Sequence, residues 1–327
     1  MTLPVLASLK KRFPQTRLTM LLRSYTAEIV EGNPYVDQIL YYDREEQQRP
    51  FGELLSAVRS AAFDACIITR STFRVALLSA LSGIPMRIGT GYRWYSFLYN
   101  RRVYEHRKTG EKHEVEYNLG LLRALGIEPS REEVEFGVTV PVEVEQRIGN
   151  LRKELGIRDS DTVVVLHPGS SGSARDWGPG RFRELAMRLC SQSGRKVIVT
   201  GGEGEEAIVQ QVSPQRTANC IPLANQLSLK ELTALIRSSS LFIANSTGPI
   251  HVAAAVGTPV IGLYPNVTVS SPQRWGPYTT KKRVFVGQGP LNCTKCLRNE
   301  AKLCECMDQI QVEDVFNAVE QLLRGTK

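Results

Sequence analysis

The chain has 327 residues, 42% of them hydrophobic, and a formal net charge of +8. That length carries two domains with a core each, and the composition contains no low-complexity tract. No apolar run reaches the roughly 20 residues that span a bilayer, and Lys10, Lys11 and Arg12 follow the first short apolar stretch instead of preceding it, so the pattern excludes a spanning protein and a secretory leader and predicts a cytoplasmic one.

In chain order, "LPVLASLKKRFPQTRLTML" reads as a helix followed by a strand at 18–22, with further strands at 38–41 and 65–68. An α/β domain of this kind normally opens on a central strand and a glycine-containing turn. Both are expected to be missing here, which would leave a sheet edge uncovered. Between Arg87 and Lys112 stand seven basic residues against two acidic ones, interleaved with Tyr92, Trp94, Tyr95, Phe97, Tyr99 and Tyr104. Such a mixture suits an anionic amphiphile or sugar, a membrane surface or single-stranded nucleic acid; it also suits a solvated loop with an aromatic edge. An amphipathic helix in "VEQRIGNLRKELGI", closed by Gly156, separates this half from the next and puts the domain boundary near 155, giving domains 1–155 and 156–327. Strands at 163–166, 196–200, 241–244 and 260–263 alternate with helical patterns, and a last helix is expected at 312–323. The fold class is therefore α/β, two Rossmann-like domains with open parallel sheets.

Three stretches of the second half carry chemistry. In "VVVLHPGSSGSARDWGPGRF" a strand ends at His167 and runs through a Gly/Ser loop, with Ser170 and Ser171 as donors, to Arg175, whose guanidinium suits phosphate. Trp177 reads as a packing anchor. In "VTGGEGEEAIVQQV" Glu205 and Glu206 follow strand-end glycines, where a carboxylate can accept from a sugar hydroxyl or simply face a helix dipole. In "FIANSTGPIHVAAAVGTPVIGLYPN" the cluster Asn245-Ser246-Thr247-Gly248 lies between a strand and a helix starting near Pro249, with His251 in its first turn. That turn offers backbone N–H groups to an anion; the competing reading is that Ser246 and Thr247 only cap the helix. The glycines at 201, 202 and 204 do not give G-x-G-x-x-G, which argues against hydride transfer.

Together, the H-P-G-S loop with Arg175-Asp176-Trp177, the strand-end Gly201-Gly202 with Glu205, and "NSTGPIHVAAAVGTPVIGLYP" resemble glycosyltransferase family 9, the ADP-heptose:lipopolysaccharide heptosyltransferases. The resemblance implies a GT-B fold with two Rossmann-like domains facing a cleft, an inverting and metal-independent transfer with no cofactor, an ADP-sugar donor in the C-terminal domain, and a lipid-linked or core oligosaccharide acceptor. It implies contact with the cytoplasmic face of the inner membrane and no nucleic acid partner. Ser170, Ser171, Glu205, Ser246, Thr247, Gly248 and His251 would then bind the donor, and Arg175, where the family usually has lysine, would stabilise the leaving diphosphate. Ser246 stands where some members carry aspartate. Arg93, Trp94, Arg101 and Arg102 fall to the acceptor side. The family's presumed general base, an aspartate in the first turn, has no counterpart here, so a non-catalytic nucleotide-sugar-binding protein is the alternative. Cys293, Cys296, Cys304 and Cys306 have spacings open to a tetrahedral zinc site or to free or paired thiols. Cys66, Cys190 and Cys220 read as reduced core residues.

Overall fold

A computed structural model describes residues 1–44, 47–170, 172, 175–292 and 305–325, and the chain divides into two compact units, 1–139 and 140–327. The first unit runs α1 (Leu3–Arg12), β1 (Thr19–Leu22), α2 (Ala27–Val30), β2 (Gln38–Tyr41), a short antiparallel ribbon of β3 (Asp43–Arg44) and β4 (Gln47–Gln48), α3 (Phe51–Ser60), β5 (Ala65–Ile67), α4 (Phe73–Leu81), β6 (Met86–Thr90), β7 (Arg101–Val103) and α5 (Glu114–Gly120). Its parallel strands form two ladders, β1 with β2 and β5-β6-β7; among the described residues no ladder joins β1 to β5. Leu54 and Val58 of α3 pack on Leu21 and Leu40 from one ladder and on Cys66 from the other, so one core serves both.

The second unit runs α6 (Val142–Glu154), β8 (Thr162–His167), α7 (Pro179–Cys190), β9 (Arg195–Gly201), α8 (Glu206–Val212), β10 (Cys220–Ala224), α9 (Leu229–Arg237), β11 (Leu241–Asn245), α10 (Gly248–Ala255), β12 (Val260–Tyr264), α11 (Pro272–Trp275) and β13 (Lys282–Val286), and ends in a helix over Val312–Arg324. All six strands are parallel, in the order β10-β9-β8-β11-β12-β13. Strand alternation sends Val164, Leu166, Val197, Val199 and Ile243 to one face, under α7, α8 and the last helix. It sends Val163, Val165, Ile198, Phe242 and Val260 to the other, under α6, α9 and α10. The sheet is buried on both sides, as parallel sheets require.

The boundary lies at 139/140, not near 155. The charged helix expected to separate the domains is α6, and its Ile148 is buried among Leu235, Ile236 and Val163 of the second sheet's core. A helix with one apolar stripe belongs to whichever core buries that stripe. The last helix likewise belongs to the second unit, where Val315 and Val319 pack on Leu185 and Leu189. Among the described residues no helix is long and apolar enough to cross a membrane.

Candidate functional site

In the second sheet β8 and β11 are neighbours, yet the chain leaves β8 toward β9 on one side and leaves β11 toward β12 on the other. Such a reversal opens a crevice beyond the carboxyl ends of the two strands. The loops that leave those ends are the two singled out in the sequence: the one from His167 to Trp177, and the turn Ser246–Thr247–Gly248.

Thr247 occupies the N-cap of α10 in an extended conformation, φ −143° and ψ 168°, and its side chain makes no capping hydrogen bond. The capping explanation therefore fails for this residue. The first backbone N–H groups of α10 put the positive end of the helix just beyond the carboxyl end of β11. Gly248 is exposed, while Ser246, Thr247 and His251 are half-buried. The Tyr264 hydroxyl, at the end of β12, bonds the Ser246 side chain and donates to the Trp275 carbonyl at 2.9 Å; burial pushes its pKa up.

The opposite loop is held by buried polar groups. Asn245, fully buried at the end of β11, accepts from the Trp177 N–H at 3.0 Å and donates through Nδ2 to the Pro168 carbonyl at 2.7 Å and to Asp176 Oδ1 at 3.2 Å. One amide thus ties β11 to both ends of the His167–Trp177 loop. Arg175, between those ties, is buried to 4% exposure, so its permanent charge is held at the sheet's end and out of bulk water. Trp177 is an anchor, as expected: fully buried, ring edge against Phe182, and Nε1 donating to the Ile310 carbonyl at 2.8 Å.

On the other side of the loop His167 and Glu205 are both buried, with Nε2 and Oε2 3.5 Å apart. His167 Nδ1 lies 3.0 Å from Thr200 Oγ1, and Glu205 Oε2 accepts from the Gly202 N–H at 2.9 Å. Thr200 Oγ1 itself donates to the Leu166 carbonyl at 3.3 Å. Burial holds the His167 pKa below its usual value, against the raising effect of Glu205. A Cβ at Gly169 would collide with the Glu205 carboxylate, so the loop crosses it closely and a larger residue there would displace that carboxylate. Glu205, expected as a sugar ligand, lies beneath the loop with its carboxylate on the Gly202 N–H.

In the first unit Trp94 is 73% exposed, Phe97 64% and Tyr104 60%. Trp94 stacks on Phe73 with ring centroids 5.0 Å apart, and Tyr92 packs edge-on against Tyr104 at 5.6 Å. Arg93, Arg101 and Arg102 are exposed beside them. Arg107, counted with them in the basic stretch, is instead bound to Glu114, to Asn118 Oδ1 at 3.1 Å and to the Thr69 carbonyl at 3.2 Å. Tyr95 is buried, its hydroxyl donating to the Ser71 carbonyl at 2.9 Å.

Residues 51–306 match the family described as Glycosyltransferase family 9 (heptosyltransferase). The chain belongs to this family. A putative glycosyltransferase of Haemophilus influenzae is 30% identical over 284 residues, 84% of this chain and 81% of that protein. Lipopolysaccharide heptosyltransferase 3 of Escherichia coli K12 is 27% identical over 336 residues, 99% of this chain and 94% of that one. Among solved structures, a family 9 glycosyltransferase from Veillonella parvula superposes with a TM-score of 0.87 at 23% identity, covering 99% of this chain and 93% of its own. The Escherichia coli heptosyltransferase WaaC with ADP superposes at 0.72 and 18% identity, covering 98% and 95%. These likenesses carry the fold, and family membership carries the activity: this chain is a glycosyltransferase.

The site therefore gathers Ser170, Arg175, Glu205, Ser246, Thr247, Gly248 and His251 at the carboxyl ends of one sheet. Ser171 lies outside the described residues, as do Cys293, Cys296 and Cys304; Cys306 is buried in the second unit's core. Among the described residues no group of three or more His, Cys, Asp or Glu side chains is placed to hold a metal ion. Sequence reasoning noted Asn245 only as part of a polar cluster and missed its bracing role. Its signal was position: an amide ending an otherwise apolar central strand must find partners there.

Proposed function

We propose that this glycosyltransferase transfers heptose, with inversion, from an ADP-linked donor to the core of a lipopolysaccharide or a related glycolipid. The acceptor hydroxyl attacks the anomeric carbon and gives its proton to solvent water, the bond to the diphosphate oxygen breaks, and ADP leaves with the electron pair. Charge grows on that oxygen, and the start of α10 with Thr247 and Gly248, together with Arg175, meets it with fixed positive ends that need no reorganisation. The single observation carrying this reading is Thr247: an N-cap hydroxyl not used in capping, at the switch point of a 3-2-1-4-5-6 sheet. The name of WaaC with ADP, in a chain of the same fold, supports adenine as the base. On the acceptor side, exposed Trp94 offers a sugar a stacking face, and Arg93, Arg101 and Arg102 offer charge to an acidic or phosphorylated glycolipid at the surface of a membrane.

Calorimetry against ADP, UDP and GDP tests the donor. ADP is expected to bind most tightly, and Arg175→Ala is expected to weaken it by about 1–3 kcal/mol, the worth of a charge-assisted hydrogen bond. Equal affinity for the three nucleotides, or an unchanged ADP affinity in Arg175→Ala, would remove the assignment.

A further inference from the structure

At the ends of the strands opposite the crevice, the second unit holds two thiols that sugar transfer does not use. Cys190 closes α7, and Cys220 opens β10, the edge strand of the sheet. Cys190 Sγ lies 3.3 Å from the Asn219 carbonyl, Asn219 Nδ2 donates to the Cys190 carbonyl at 3.2 Å, and Cys220 Sγ lies 3.4 Å from Ser213 Oγ. These side-chain-to-backbone bonds tie the two chain segments within one residue of both sulfurs, and both thiols pack against the same apolar core. Both are reduced and half-buried, and the turn at 214–218 leading into Cys220 is exposed, so a small oxidant reaches the pair.

We propose that Cys190 and Cys220 form a reversible disulfide site, closed by a hydroperoxide and reopened by a thiol reductant. The Cys220 thiolate attacks the O–O bond; one oxygen stays on sulfur as the sulfenic acid and the other leaves as hydroxide, taking a proton to become water. Cys190 sulfur then attacks Cys220 sulfur; the S–S bond forms, the S–O bond breaks, and the departing hydroxide takes the Cys190 proton. Two thiols lose two electrons and two protons, and the peroxide becomes two waters. The neighbouring Cys190 sulfur, with Ser213, holds the Cys220 thiol below its ordinary value, which favours Cys220 as the attacking thiolate. Burial pushes Cys66 up to about 11, which makes it an internal control. Closure would pin the edge strand β10 to α7 and restrain the segment 190–220 that carries β9 and α8.

The test uses the full chain at neutral pH with increasing hydrogen peroxide, followed by alkylation and peptide mapping without reduction. The expected product joins Cys190 to Cys220, forms at least about tenfold faster than Cys66 is oxidised, reverts with dithiothreitol and raises the melting temperature. In Cys190→Ser the Cys220 sulfenic acid has no resolving partner and is expected to be trapped by dimedone. Recovery of both cysteines fully alkylated at a dose that oxidises Cys66, or cross-links from either to other cysteines in place of each other, would overturn the proposal.

Discussion

Replacing Asn245 by alanine removes an amide that serves three partners in the protein's interior. The Trp177 N–H and the Pro168 carbonyl, both buried, lose their bonds to it at 3.0 and 2.7 Å, and Asp176 loses one at 3.2 Å. Leaving a buried donor or acceptor unsatisfied costs about 1–3 kcal/mol each, and the effects of neighbours are not additive, so the expected loss is about 3–5 kcal/mol. That is a large share of the roughly 5–15 kcal/mol that hold a typical domain together, and lowers the melting temperature by roughly 6–20 °C. Urea titration followed by circular dichroism measures the stability, and calorimetry measures ADP affinity, which is expected to fall with it because both site loops lose their common tie. Asn245→Asp sharpens the test. The aspartate keeps an acceptor for Trp177 and the same volume, but turns the donor into a carboxylate facing the Pro168 carbonyl and Asp176. It is expected to destabilise at least as much as alanine at neutral pH. A stability loss below about 0.5 kcal/mol for Asn245→Ala, or an Asn245→Asp protein indistinguishable from the parent, would refute the bracing role.

Thr247→Val keeps the shape and removes the hydroxyl; stability is expected to stay within about 0.5 kcal/mol, since no cap is lost, while ADP affinity drops by about 1–2 kcal/mol in calorimetry. Neutralising Arg93, Arg101 and Arg102 together with Trp94→Ala is expected to raise the acceptor KM and leave ADP binding unchanged, whereas Arg107→Ala, which breaks the bonds to Glu114 and Asn118, should lower the melting temperature instead. For His167 burial sets the folded pKa below the ordinary 6.5, so the unfolded chain takes the proton first as pH falls. Stability is expected to be full above that value and to decline below it, by at most about 1.4 kcal/mol per pH unit, with a shallower decline in His167→Gln when urea midpoints are compared across pH.

The second unit was legible because its central strands are unbroken apolar runs: those expected at 163–166, 196–200, 241–244 and 260–263 all sit at the centre of the sheet or flank it. The strands that escaped reading lie mostly at edges. β10 contains Pro222 and β13 starts with Lys282-Arg283, residues that a central strand does not admit and an edge strand does. β7 begins with two arginines for the same reason. β6 is central to its ladder but carries Gly89, whose missing side chain makes room for the Tyr99 ring, a Cβ there falling 2.6 Å from it. Local pattern cannot announce a glycine required by a ring ten residues later. The surroundings of Glu205 were illegible in the same way: its carboxylate lies against Gly169, a neighbour set by the path of the loop.

The arrangement at the crevice follows from one conflict. A parallel sheet buried on both faces is stable because its strands are apolar throughout, yet under the proposed function the carboxyl ends of those strands present charge and hydrogen-bond donors to a diphosphate. The chain resolves this by ending the strands in polar residues that bond sideways: His167 to Thr200 across β8 and β9, Asn245 from β11 to the loop after β8, and Tyr264 from β12 to Ser246 and Trp275. These residues satisfy one another below the crevice. The groups assigned to ligand, Thr247 and the first N–H groups of α10, stand above them on a helix whose capping hydroxyl is not engaged. In the proposed transfer, binding energy can then be directed at the charge on the departing diphosphate, because these braces hold the two loops from below.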